Sequence, residues 1–508
     1  MEIDARLRDV VLRRIQDEFG PLPAKHNLLL GDFFNTEYLQ GCFDCVVGNP
    51  PYGGTFDPDI EDRLDRLYGV WDGHKLKKET YSFFIARSLD WLAPGGTLDF
   101  ITSDTMLTIK TMGGLRRKLM DTSSVSIESL PSFSDETTQP TLVLHAVKDG
   151  RCPSITIDGA VLRRDLIELT GNFSWRIEPE MARYFRGPTI GQFFVASSGM
   201  TIGRNELFLR KIDDGSVAEP YLFEFFGDPI TLEKEVQRAR LHKLSPRMRQ
   251  RIEAQQAAGV VRRNVRAVDV PHPISVRLPH PDYKYYNKAS SAIVYEDPTT
   301  AVFWRDDGDA LLTFKKNGPW YLHGVGGQPY FGREGLTWQL IAPRLNMRYL
   351  PAGYILDSGA PAMFARPGVP YDELWFVLGW CLTSEATRLL KTAINHTRNI
   401  QSKDVERLPY PHWLLDDRKE EVVALVRRMV EDAREGARFD RFSSDLLKLE
   451  EMFALPTPIG GAPPVPGLDL FGEVAARRMR ISKTDEDSLR NKAVAVGLAV
   501  AELDLKGG

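Results

Sequence analysis

Residues Phe43 to Gly53, which read FDCVVGNPPYG, decide how the rest of the chain is interpreted. The apolar run at the start of this stretch is rich in β-branched residues and predicts a buried strand. Pro50 and Pro51 end the strand, because each fixes φ and removes a backbone donor, and Asn49 is held extended because it precedes a proline. Ligands of open α/β sheets bind at the carboxyl ends of strands. We therefore expect a site where an amide oxygen, a carbonyl oxygen and the Tyr52 ring receive a planar group bearing an NH2.

Asn49-Pro50-Pro51-Tyr52 after a strand resembles the catalytic motif of DNA methyltransferases that transfer a methyl group from S-adenosylmethionine to the amino group of a base. The plain alternative is a proline-rich turn after a core strand, since Asn and Pro favour turns. The resemblance implies that the Asn49 side-chain oxygen and the Pro50 carbonyl accept hydrogen bonds from the target amine. It also implies that the base is flipped out of the duplex and stacks between Tyr52 and Phe133.

The same resemblance implies a set of cofactor contacts. Glu2, in a Glu-Ile-Asp context, is similar to the family's acid that binds the ribose hydroxyls, and Asp32 to the acid that accepts from the adenine amino group. The resemblance implies that Asn49 is the third cofactor-binding residue. The family's glycine-rich turn is expected before Glu2, and the glycine clusters at 324–327 and 460–461 do not follow a strand and open a helix. We therefore expect an incomplete site for S-adenosylmethionine that a second methyltransferase subunit completes, or a truncated start.

A second part of the resemblance lies between residues 81 and 102. Tyr81 to Leu92 has an amphipathic helical pattern that stops at Pro94-Gly95-Gly96, and Thr97 to Thr102 follows as a strand with a polar turn after it. This order is similar to the fifth and sixth motifs of the same methyltransferases. The predicted fold is therefore α/β, with an incomplete Rossmann-like class I methyltransferase domain, then an α+β target-recognition domain and C-terminal helices.

Composition limits the function classes. The chain has 508 residues, which predicts more than one domain, and a formal net charge of −4, so affinity for DNA has to come from local patches. Four cysteines do not form a disulfide framework, and a reducing compartment is expected. Cys42 and Cys45 have a C-x-x-C spacing, but we expect small buried side chains there rather than zinc ligands, and no metal site.

The remainder of the chain predicts DNA recognition. Interleaved aromatic and basic residues suit stacking and phosphate contacts, and Tyr283, Lys284 and Arg398 are the candidate DNA-binding residues. The succession up to residue 411 resembles the specificity domain of type IIG (Eco57I-like) enzymes and of BREX-type phage-defence methyltransferases. The predicted domains are a catalytic half at 1–150, a connector at 151–190, a target-recognition domain at 191–415 and a helical tail with a Pro/Gly linker at 416–508.

The sequence is interpreted as a site-specific adenine DNA methyltransferase of a restriction-modification or phage-defence system, acting on double-stranded DNA with a second subunit. One alternative is a catalytically inactive DNA-binding specificity or defence subunit. Cytosine N4 methylation is disfavoured, because its motif usually begins with Ser or Thr, and no Glu-x-Lys follows Pro58-Asp59 or Pro281-Asp282 as a nuclease would require. No apolar run has the length of a membrane span and no signal peptide is recognisable, so a cytoplasmic protein is expected.

Overall fold

The computed structural model describes most of the chain, with gaps. The described residues are 5–20, 33–34, 41–53, 56, 58–76, 79–130, 140–202, 205–213, 224–225, 230–231, 261–262, 265–266, 275–305, 307–308, 311, 327–414, 416–437 and 439–455. Glu2, Asp32 and Phe133 lie outside these residues. Among the described helices, none has both the length and the apolar character needed to cross a bilayer.

The chain divides into two compact units. Of the described residues, the first unit contains those up to Met106 together with Thr111–Arg164, and the second contains Leu107–Lys110 together with those from Asp165 to Leu455. The finer division into four predicted domains stays a prediction.

The first unit alternates helices and strands, with α/β character as predicted. Its elements are α1 (Ala5–Phe19), β1 (Phe43–Gly48), α2 (Pro58–Tyr68), β2 (Val70–Trp71), β3 (His74–Lys75), α3 (Thr80–Trp91), β4 (Leu92–Ser103), α4 (Gly113–Thr122), β5 (Ser124–Leu130), β6 (Thr141–Val147), β7 (Ser154–Ile157) and β8 (Ala160–Arg163).

Six of these strands form one mixed sheet in the order β1-β4-β6-β5-β7-β8. β1 runs parallel to β4, and β6 is inserted antiparallel between β4 and β5. α3 connects the neighbourhood of β1 to β4, so the two parallel strands end at the same edge of the sheet. The end of β1 and the end of β4 therefore meet where the Asn49 turn begins.

The two faces of this sheet differ. Leu98 on β4, Ala146 on β6 and Val125 on β5 form one cross-strand row of buried side chains, on the face that packs against α3 and α4. On the opposite face Asp99 pairs with His145 across the strands, with 2.6 Å between Oδ1 and Nδ1, and both remain partly exposed. Among the described residues, the sheet is thus covered mainly on one face.

The prediction that β1 is a buried core strand is wrong. β4 is its only strand partner among the described residues, and Val47, aligned with Asp99 on the open face, is 47% exposed. Cys42 and Cys45 are exposed for the same reason, so they are not the buried side chains expected from their spacing. A run of β-branched residues indicates a strand, but burial depends on what packs against it.

The Pro-Gly-Gly segment also differs from its predicted role as a separate turn. α3 ends at Trp91 as predicted, but β4 begins directly at Leu92, so the segment lies inside the strand. The register with β1 shifts there, and Gly95 has a φ of +81°. A Cβ on Gly96 would meet the Phe43 carbonyl oxygen at 2.9 Å. The glycines therefore form an irregular start to β4 that lets β1 approach closely.

The second unit contains many short strands and a set of helices. Its elements are α5 (Arg164–Leu169), α6 (Ile190–Phe193), β9 (Phe194–Ser197), α7 (Asn205–Phe208), β10 (Leu209–Ile212), β11 (Glu224–Phe225), β12 (Ile230–Thr231), β13 (Val261–Arg262), β14 (Val265–Arg266), β15 (Ser275–Val276), β16 (Tyr283–Asn287), β17 (Thr300–Phe303), β18 (Gly335–Thr337), β19 (Arg348–Leu350), β20 (Tyr354–Leu356), β21 (Ala362–Ala365), α8 (Asp372–Cys381), α9 (Ser384–Leu389), α10 (Ser402–Val405), α11 (Asp416–Arg434) and α12 (Ser443–Phe453).

Two sheets organise this unit, in the orders β15-β10-β17-β16-β20 and β19-β18-β21-β9. The predicted charged helices after residue 415 are present as α11 and α12, and α11 packs against α8. The apolar segment that begins at Asp372 is not one continuous helix, because α8 ends at Cys381 and α9 begins at Ser384. Thr383 caps α9 by accepting from the Ala386 amide, and the chain continues in a π-helical turn, Leu390–Ile394. π-helical turns are frequent at functional sites.

Candidate active site

The candidate active site lies at the carboxyl ends of β1 and β4. Gly48, the last residue of β1, is aligned with Phe100, and a Cβ at Gly48 would meet the Phe100 ring at 3.2 Å. The small residue therefore lets the two strands end side by side. Asn49 follows immediately and is exposed, whereas Pro50 is buried. The turn is anchored by one proline and presents the amide outwards.

Tyr52 is fixed to the neighbouring strand through its hydroxyl. That hydroxyl donates to the Ile101 backbone carbonyl over 2.9 Å, and Asn49 Oδ1 is a second acceptor at 3.1 Å. A phenol has one proton, so the shorter contact to Ile101 leaves the Asn49 oxygen free to accept from another donor. The Tyr52 side chain is 43% exposed. Burial of the hydroxyl raises the pKa of Tyr52 to about 12, so it remains neutral.

A network of hydroxyl groups lies beneath Tyr52. The Tyr81 ring, from the first turn of α3, meets the Tyr52 ring edge-on with 6.0 Å between centroids. The Tyr81 hydroxyl lies 3.2 Å from Thr105 Oγ1, which in turn lies 2.9 Å from Ser103 Oγ at the end of β4. Tyr81 is 2% exposed, and burial raises its pKa above the ordinary value. These groups support the exposed ring from below.

Tyr81, Ser103 and Ile101 were not among the predicted site residues. Polar residues directly after the strand could have indicated Ser103, because side chains at the carboxyl end of β4 face the same edge as Asn49. Ile101 contributes only a backbone oxygen, for which the sequence carries no signal.

A cluster of aromatic rings packs beside the turn. Phe33 stacks on Phe84 of α3 with 4.2 Å between ring centroids. Phe34 meets Phe56, which follows the turn, and Phe56 meets Phe83. The residues directly after Asp32 therefore pack on the same helix that carries Tyr81.

The predicted DNA-binding residues have unequal environments. Tyr283 is 2% exposed within a hydrophobic core of the second unit, edge-on to Phe303 with 5.5 Å between ring centroids. Its assignment as a DNA-stacking residue is therefore corrected, because the ring has no exposed face in this structure. Its sequence neighbour Lys284 points the other way and is exposed, as alternation along β16 requires. Arg398 is exposed as well. The DNA-binding roles of Lys284 and Arg398 stay predictions.

Residues 15–136 match the Eco57I restriction-modification methylase family. A segment of 152 residues is 30% identical to the type II methyltransferase M.PaeR7I of Pseudomonas aeruginosa and covers 28% of this chain and 26% of that protein. The chain thus spans about a quarter of the length of this curated relative.

Two solved structures resemble the fold in part. The type IIL restriction-modification enzyme MmeI in complex with DNA has a TM-score of 0.49 at 11% identity, over 87% of this chain and 59% of that chain. The type ISP restriction-modification enzyme LlaGI, a nuclease-deletion mutant with a DNA substrate mimic, has a TM-score of 0.41 at 14% identity, over 76% of this chain and 34% of that chain.

The matched residues include the Asn49 turn and the hydroxyl network under it. Similarity to such methylases indicates S-adenosylmethionine as the methyl donor. The chain is therefore similar, over residues 15–136, to the restriction-modification methylases of the Eco57I family.

Proposed function

We propose that the chain carries the catalytic and DNA-recognition parts of a DNA methyltransferase that modifies the 6-amino group of adenine, within a restriction-modification or phage-defence system. The observation that carries the proposal is the turn at residues 49–52. There an exposed amide oxygen lies beside an exposed ring whose hydroxyl is fixed to the adjacent parallel strand.

The described residues suit the acceptor side of the reaction. Asn49 Oδ1 and the Pro50 carbonyl oxygen would accept hydrogen bonds from the target amino group and so direct its lone pair away from them. Bound S-adenosylmethionine would supply the methyl group. The two oxygens would also stabilise positive charge that develops on the amine, and because the prolines hold them in place, little reorganisation is needed at the moment of reaction.

Tyr52 would hold the flipped base. Extruding a base costs a few kcal/mol of unstacking, and stacking on an aromatic ring contributes about 1–3 kcal/mol per base. The exposed Tyr52 ring, supported by Tyr81 and anchored on Ile101, offers one such face. Phe133 is proposed for the opposite face.

Two acids would bind the cofactor, with Glu2 on the ribose and Asp32 on the adenine amino group. We further propose that a second subunit bearing a glycine-rich turn completes this site. In support, β1 pairs on one side only among the described residues, and Val47 on the open face of the sheet is 47% exposed. A strand edge that is open to another chain can serve as a template for pairing.

Methyl transfer from tritiated S-adenosylmethionine to duplex DNA tests the proposal, followed by nucleoside analysis of the product. N6-methyladenine that disappears with Asn49→Ala supports it. N4-methylcytosine as the product would reject the adenine assignment. DNA binding without any transfer, with and without cellular partners, would favour the inactive specificity subunit.

Calorimetry tests the proposed second subunit separately from the methyltransferase proposal. The purified chain is expected to bind S-adenosylmethionine weakly or not at all, and to bind it tightly once the partner is added. Micromolar binding by the chain alone would refute the proposed second subunit and leave the methyltransferase proposal intact.

A further inference from the structure

The segment from Asn395 to Gln401, here called the 395–401 loop, is cross-linked by its own first residue. The Asn395 side-chain nitrogen donates to the Asn399 carbonyl at 3.0 Å, and its oxygen accepts from the backbone amide and the hydroxyl of Thr397 at 3.0 and 2.8 Å. Asn395 itself is 6% exposed. One buried amide therefore closes the loop into a fixed turn.

Asp404 and Lys391 hold the same loop from below. The Asp404 carboxylate accepts from the Asn395 side chain at 2.7 Å and from the Gln401 amide at 2.9 Å. The Lys391 amine, on the π-helical turn, donates to the Thr397 carbonyl at 2.7 Å. A buried network in which each member has partners gives a rigid conformation.

The backbone of the loop is paired as well. The Ala342 amide donates to the Arg398 carbonyl at 3.0 Å, and the Ile400 amide donates to the Leu340 carbonyl at 2.7 Å. Ile341 lies opposite Asn399 in a bridge between these segments. The loop is thus the outer strand of a small ribbon whose conformation needs no ligand.

The 395–401 loop and the segment facing it expose basic, amide and apolar side chains. Arg398 and Asn399 are exposed on the loop, Arg344 is exposed on the facing segment, and Ile341 is 57% exposed although it is apolar. Residues 335–356 and 386–403 contain no aspartate or glutamate. In a chain with net charge −4, this surface is locally positive, as contact with DNA requires.

The electrostatics under the loop agree with this. The pKa of the Lys391 amine is lowered to about 8, mainly by burial, with Asp404 opposing the shift and the positive charge of Arg398 adding to it. The Lys391 and Arg398 cations therefore interact with each other, and the Asp404 carboxylate balances their charge only in part. A polyanion above the loop would relieve that repulsion.

We propose that the 395–401 loop reads bases in the major groove of the DNA substrate, with Arg398 and Asn399 as specificity-determining residues. This assignment rests on the proposed function, because it identifies where that enzyme recognises its site. Arginine makes paired hydrogen bonds to guanine and asparagine to adenine, and an apolar side chain such as Ile341 suits the methyl group of thymine. A loop held by these bonds can present the exposed Arg398 and Asn399 side chains in a fixed conformation.

Selection of bound duplexes from a randomised DNA library tests the loop, using the full chain and its Arg398→Ala and Asn399→Ala variants. The wild-type chain is expected to select a consensus. Arg398→Ala should lose preference at one base pair by about tenfold or more, and Asn399→Ala at a nearby one, with other positions kept. The matched control is Arg428→Ala, an exposed arginine of α11 that pairs with Asp445, which should keep the whole consensus.

Several outcomes overturn the proposal. One is no consensus for the wild-type chain, and another is an unchanged consensus in both loop variants. A third is uniform weakening on every duplex with a salt dependence shallower by about one charge, which identifies a phosphate contact instead. Because the readout is binding, a consensus that depends on Arg398 without any methyl transfer would refute the proposed function alone. Methyl transfer with a consensus that ignores Arg398 would refute the loop assignment alone.

Discussion

The proposed catalytic turn at residues 49–52 and the 395–401 loop hold their exposed side chains in different ways. The turn owes its shape to two successive prolines and a single tertiary anchor, the Tyr52 hydroxyl on Ile101. The loop contains no proline and is shaped by the Asn395, Asp404 and Lys391 side chains and by pairing with residues 340–342. Rigidity that comes from covalent restriction is visible in a short motif, whereas rigidity that comes from cross-linking depends on distant partners.

This difference predicts that single substitutions act differently in the two regions. In the turn, removal of a functional side chain should abolish chemistry and leave the fold intact. In the loop, removal of an internal side chain should alter both stability and recognition. Four predictions test the comparison, from the largest expected effect to the smallest.

Asn49→Ala should lower the rate of methyl transfer by about 100- to 1000-fold, the range found when one preorganised donor or acceptor is removed from a polar transition state. Because Asn49 is exposed and its side-chain oxygen contacts the exposed Tyr52 hydroxyl, the midpoint of thermal unfolding should not change. Tritium incorporation and circular dichroism measure the two. Cys45→Ala, on exposed β1 surface, is the control and should keep the wild-type rate.

Tyr52→Ala and Tyr52→Phe together separate the ring from its hydroxyl. The alanine variant removes stacking worth about 1–3 kcal/mol and should abolish most transfer. The phenylalanine variant keeps the ring and loses only the bond to Ile101, which contributes about 1 kcal/mol. Its rate should fall to about a fifth of wild type on the same assay. Equal loss in both variants would show that the hydroxyl, rather than the stacking face, is what matters.

Asn395→Ala should destabilise the second unit by about 1–3 kcal/mol, because Asp404 and Thr397 each lose a hydrogen bond at this largely buried site. Denaturant unfolding measures this free energy. The variant should also broaden the bound-sequence consensus at the base pairs assigned to Arg398 and Asn399. Stability that falls while the consensus stays sharp would show that the network is structural only.

The smallest effect concerns pH. The pKa of Lys391 is lowered to about 8, so the amine loses its charge as pH rises through that value in the folded chain. The unfolded chain keeps the proton up to the ordinary lysine pKa of 10.5, so the stability of the fold rises with pH between about 8 and 10.5. Loss of the positive charge in the folded chain also weakens its attraction to DNA. Affinity for DNA should therefore fall between about pH 7.5 and 9, by no more than a few-fold. Lys391→Met should remove that step from a pH titration, and a step that persists would assign it to another group.

The elements that the sequence predicted correctly are determined by residues close together in the chain. A proline pair fixes the end of β1, a helical period fixes α3, and a charged amphipathic pattern fixes α11 and α12. Each depends on residues adjacent in the chain, so the pattern is complete within a short window. The order of these elements was enough to indicate the kind of enzyme, because the Asn49 turn is itself a local feature.

The tertiary structure decided which side chains are buried and which hydrogen-bond partners they have. Tyr283 and Tyr52 are both tyrosines in plausible DNA-binding contexts, yet one is 2% exposed in a core and the other 43% exposed at a strand end. Cys45 lies on an apolar strand that is nevertheless uncovered among the described residues. Asn395 gains its role from partners on both sides of its own turn. Backbone restrictions belong to the sequence by itself, but desolvation and hydrogen-bond partners are set by segments that only folding brings together.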